Sequence, residues 1–75
     1  MKEQVQVVER RFGVFPARFN RAGQVVRVDA VEHCWTEMNG YQGGPRYHFR
    51  IRCGSERFHL SEDTGSGAWT IRTES

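Results

Sequence analysis

A chain of 75 residues, 37% of them hydrophobic, has room for one small domain and excludes a second, because at this size a single core only just offsets chain entropy. A net charge of +2 permits contact with nucleic acid or another acidic surface without requiring it. Two cysteines, Cys34 and Cys53, fall short of a secreted disulfide framework and lie outside any zinc-binding Cys or Cys/His spacing, so reduced thiols are expected.

The N-terminal stretch MKEQVQVVERRFG is charged throughout and has no apolar run of signal-peptide length. Nothing later in the chain approaches a membrane span, so a cytoplasmic protein without a membrane partner is expected. Residues 3–8, EQVQVV, alternate valine with glutamine and predict a first strand, since β-branched side chains lose freedom in a helix. Gly13 and Pro16 end it, and Phe12, Val14 and Phe15 are expected to form a bend that tucks into the core.

Residues 17–19 and 24–30 flank Asn20-Arg21-Ala22-Gly23, a polar link with hairpin chemistry. The second arm runs on as VVRVDAVEHCWTE, with Val26, Val28 and Ala30 on one parity and Val31, His33 and Trp35 on the other. One regular strand cannot turn both sets inward, which predicts a β-bulge or sharp bend at Asp29 to Val31. Residues 37–45 follow as a glycine-rich loop carrying Tyr41.

From Arg46 to Thr73 the apolar residues fall on every second position: Tyr47, Phe49, Ile51 and Cys53, then Phe58 and Leu60, then Trp69 and Ile71. That period predicts three half-buried antiparallel strands, joined through Cys53-Gly54-Ser55-Glu56 and through residues 62–67, where Asp63 is expected to accept backbone N–H groups. The sum is an all-β domain over residues 1–75, with five or six short strands in up-and-down order and no helix. The architecture expected is a strongly bent sheet or a small, partly open SH3-like barrel, folded as a monomer.

The closing pattern of Tyr47, Phe49, Ile51, Gly54, Phe58, Leu60, Asp63, Gly67 and Trp69, with Pro16, Phe19, Gly23, Val28, Val31 and Trp35 upstream, resembles an uncharacterised bacterial β-domain family. Members of that family occur as short free-standing proteins and at the C-terminus of Y-family DNA-polymerase-like mutagenesis proteins. The resemblance covers roughly residues 15 to 72. The chain departs from the pattern at Asn20-Arg21, where a Trp-Arg pair is common, and at His33-Cys34. It implies an accessory module near DNA-damage tolerance, with a DNA-repair protein as a further partner, and assigns no catalytic residue.

If the apolar parity points inward, Arg46, His48, Arg50 and Arg52 point outward together, and Arg57, His59 and Arg72 join them from the neighbouring strands. Five arginines and two histidines on one sheet face suit phosphate oxygens, so a nucleic-acid surface is the leading expectation. The opposing possibility is a solvated face whose arginines pair with Glu32, Glu56, Glu62 and Glu74. Tyr41 and Trp35 are the rings a ligand could reach, whereas Trp69 is assigned to the core.

His48 and His59 are expected near each other, but two imidazoles make a poor metal site, and no metal or other cofactor is expected. Ser55, Ser61 and Ser66 lack an elbow motif, neither cysteine has a base partner, and Glu62 and Asp63 point different ways. A non-enzymatic binding module is expected. The alternative to nucleic acid is a protein partner held at an edge strand or at the Tyr41 loop.

Overall fold

The computed structural model describes residues 3–38 and 44–74. They form seven antiparallel strands: β1 (Glu3–Arg11), β2 (Phe15–Arg21), β3 (Gln24–Arg27), β4 (Ala30–Glu37), β5 (Arg46–Cys53), β6 (Glu56–Asp63) and β7 (Ala68–Glu74). The strands make one sheet in the order β3-β2-β1-β7-β6-β5-β4, with no helix among the described residues. All-β character and antiparallel order are as expected.

The strand count is seven, not five or six, because VVRVDAVEHCWTE divides into β3 and β4. At the division the Val28 N–H donates to the Ala17 carbonyl on β2 (2.9 Å) and the next N–H, of Asp29, donates to the Arg52 carbonyl on β5 (2.8 Å). Successive residues thus bond to strands from opposite ends of the strand order. With only Val28 and Asp29 between its two edge strands, the sheet has to curl, and the enclosed side becomes the core.

The bulge lies one step beyond its expected place. Val31 pairs with Ile51, but the next paired residue is His33, opposite Arg50, leaving Glu32 as the extra residue. Val31 therefore packs on the core, while His33 and Trp35 move to the outer side.

Phe19, Val28, Phe49, Ile51, Phe58, Leu60, Trp69 and Ile71 form the buried cluster. Cross-strand pairing stacks Phe49 on Leu60 and Ile51 on Phe58, and Leu60 in turn faces Ile71, so the period-two pattern becomes one apolar layer. Arg10 lies over the Trp69 ring and Arg21 over the Phe58 ring, each salt-bridged to a carboxylate, Glu62 and Glu3 respectively. Cys53 borders this layer, and burial first, then Asp29 and Glu56, push its thiol up to about 11.

Three expectations about side chains need correction. Phe12 and Val14 do not tuck in: Phe12 sits at the tip of the β1–β2 turn with φ of 56°, and its ring is 86% exposed. Phe15 alone of that group reaches inward, meeting Phe49 edge-on at 6.3 Å. Tyr47 keeps the inward parity, yet it remains 37% exposed where a groove of about 310 Å³ opens between Val14, Phe15, Thr36 and Phe49. The turns otherwise follow their residues. Ala22 and Gly23 both take positive φ in a two-residue hairpin while Asn20 Oδ1 accepts the Gly23 N–H at 3.1 Å, and Asp63 Oδ1 accepts the Gly65 N–H at 3.0 Å.

Candidate nucleic-acid interface

The outer side of β4–β7 carries the candidate residues. Strand pairing sets Arg50 beside His59, His59 beside Arg72, Arg52 beside Arg57, and Arg46 beside Asp63. The seven cationic candidates predicted from parity, Arg46, His48, Arg50, Arg52, Arg57, His59 and Arg72, therefore share one face. Tyr41 lies outside the described residues.

Trp35 joins this face, opposite His48 on the neighbouring strand, because of the bulge at Glu32. Its indole stacks on His48 at 5.1 Å with planes 7° apart and on His59 at 5.3 Å, and His33 adds a tilted contact at 5.2 Å. The outcome is a cluster of four rings, with Arg46 and Arg50 two positions to either side of His48 on β5. Trp35 itself is 37% exposed, so part of its surface stays open to a ligand.

Under the indole the two imidazoles touch: His48 Nδ1 lies 2.8 Å from His59 Nε2. The outer nitrogens are also engaged, His48 Nε2 with Glu37 Oε1 at 3.0 Å and His59 Nδ1 with an Arg72 guanidinium nitrogen at 2.9 Å. Burial, then the charges of His48 and Arg72, lower the His59 pKa from its ordinary value, with Arg50 acting the same way and Glu74 opposing. A groove of about 290 Å³ opens beside the pair, lined in part by Arg46, Arg72 and the hydrogen-bonded Ser61 and Thr70 hydroxyls. Among the described residues no group of three or more His, Cys, Asp or Glu side chains could hold a metal ion.

Acids temper the face. Glu32 pairs with Arg57 at 2.8 Å, while Glu74 lies 3.6 Å from Arg50 and Asp63 3.6 Å from Arg46. Of the four glutamates expected to compete, Glu32 and Glu74 do so, whereas Glu62 pairs with Arg10 instead. Arg52 and Arg72 have no carboxylate partner among the described residues. Arg52 moreover stands directly across from Arg57, a like-charge pairing that disfavours the sheet unless an anion or a flanking acid relieves it.

The partners that parity alone misses are Glu37, Asp63 and the histidine-covering position of Trp35. No family model, no curated protein and no solved structure matches the chain.

Proposed function

We propose that this chain is a non-enzymatic accessory module that binds single-stranded nucleic acid on the outer face of β4–β7. A base stacks on Trp35, while Arg52 and Arg72, the arginines of this face without a carboxylate partner among the described residues, meet phosphates. The observation that carries this reading is the strand register gathering guanidinium groups around an exposed indole. The curl of the sheet favours the partly open SH3-like barrel as its architecture. The resemblance to the bacterial β-domain family favours a task beside DNA-damage tolerance.

The test is fluorescence anisotropy with a labelled single-stranded oligonucleotide at low ionic strength. Binding should appear, weaken with salt, and weaken again in an Arg50→Ala, Arg52→Ala double variant. No binding at low salt overturns the proposal.

One observation favours a protein partner as the second reading. Among the described strands β4 pairs only with β5, so its other edge is open beside the apolar groove of Val14, Phe15 and Thr36. Backbone amide shifts confined to β4 on adding a candidate peptide, with the arginine strands unmoved, would select that reading.

A further inference from the structure

The contacts Arg72 to His59 to His48 to Glu37 dictate where every ring proton sits. Arg72 can only donate, so His59 Nδ1 must accept and its proton resides on Nε2. That Nε2–H then donates to His48 Nδ1, which leaves the His48 proton on Nε2, aimed at the Glu37 carboxylate. Guanidinium, two imidazoles and carboxylate thus form one hydrogen-bonded relay, with both imidazole rings stacked against Trp35.

We propose that this relay makes polyanion binding on the face proton-linked: one proton taken up by the imidazole pair detaches Arg72 from His59 and adds a positive charge, strengthening the hold on phosphate. The proposal rests on the nucleic-acid reading of the same face and adds its regulation.

The relay has one place for an added proton to act. Only two ring nitrogens lack hydrogen, His59 Nδ1 and His48 Nδ1. A proton on His59 Nδ1 confronts the Arg72 N–H directly and breaks that contact. A proton on His48 Nδ1 confronts the His59 Nε2–H, and His59 can relieve the clash only by moving its own proton to Nδ1, which again expels Arg72. In either case the His48–Glu37 contact survives.

Charges facing the pair come from every neighbouring strand. Glu37 faces it from β4, where His33 touches the Trp35 ring that covers the pair, Arg46 and Arg50 face it from β5, and Arg72 with Glu74 from β7. Burial first, then the charges of His48, Arg72 and Arg50, oppose protonation of His59, and Glu74 favours it. A phosphate beside Arg46 and Arg72 reverses the balance and draws the proton in.

The experiment pairs two readouts on the full chain. Anisotropy with an oligo-thymidine strand at constant ionic strength, from pH 8 to pH 5.5, should give log affinity rising as pH falls, with a slope approaching one proton, about tenfold per pH unit at its steepest. His59→Gln should flatten that slope whatever its affinity at pH 8. Long-range ¹⁵N NMR of the protein alone should show both imidazoles as Nε2–H tautomers at pH 8, and one protonation step that also moves the Arg72 guanidinium signals. Binding with the same slope in both proteins overturns the proton linkage and leaves the nucleic-acid reading standing. Binding at no pH overturns both, and Nδ1–H tautomers or an Arg72 signal indifferent to pH overturn the relay itself.

Discussion

The most discriminating perturbation is to remove the arginines of the outer face one at a time and read the salt dependence of oligonucleotide binding. Five arginines lie on the face, but Arg46, Arg50 and Arg57 have Asp63, Glu74 and Glu32 beside them. An arginine already paired with a carboxylate neutralises phosphate less and so releases fewer of the cations condensed on the strand, which leaves Arg52 and Arg72 as the effective contacts. Two phosphate contacts with a single strand give a slope of log affinity against log salt of about −1.4, hence about a sevenfold loss from 50 to 200 mM salt. Were all five engaged, the slope would be about −3.5 and the loss about 130-fold. Arg52→Ala should halve the slope to about −0.7, leaving about a 2.6-fold loss over the same range. Arg57→Ala should leave the slope nearly unchanged while weakening binding, because it exposes the Glu32 carboxylate. The assay is anisotropy at pH 7.5 over a salt series. A wild-type slope near −3.5, or an Arg52→Ala slope equal to wild type, refutes the division into paired and available arginines.

Trp35→Ala should cost about 1–3 kcal/mol of oligonucleotide affinity, measured by the same anisotropy, with Trp35→Phe retaining most of it; an unchanged affinity removes Trp35 from the interface. Iodoacetamide at neutral pH should label the exposed Cys34 and spare Cys53, whose thiol is held protonated up to about 11, and mass spectrometry of the digested protein decides it. His59 binds its proton less readily folded than unfolded, so its contribution to stability is complete above the ordinary histidine value of about 6.5 and is lost as pH falls. The urea midpoint should accordingly drop between pH 7.5 and pH 5 in wild type by more than in His59→Gln, and an equal drop removes the histidine as its cause.

Legibility tracked distance along the chain. The strands from Arg46 to Thr73 and the turn role of Asp63 were readable because alternation and turn chemistry are local, and the same parity that buries Phe49 and Leu60 turns Arg50 and His59 outward. Phe12 was misread because an aromatic ring beside a glycine carries no sign of the positive φ that turns it to solvent. Trp35 was readable only as a ring at a strand end. Its place over the histidines depends on one extra residue at Glu32, and a bulge is specified by pairing with β5 rather than by composition. The carboxylates that temper the arginines come from other strands, such as Glu32 against Arg57, and no spacing rule announces them.

The same pairing bears on how tightly such a face can bind. A phosphate arriving at Arg46, Arg50 or Arg57 must share the guanidinium with the carboxylate beside it, so less affinity is gained there than at an unpaired arginine. Under the proposed reading, two available cations and one base stack worth about 1–3 kcal/mol would make the domain alone a weak, quickly released ligand. A weak module acts when tethered, because a partner already on the strand raises its local concentration to roughly the millimolar range. If the face binds nucleic acid as proposed, these acids would limit what it holds on its own, and a tethering partner would set its occupancy.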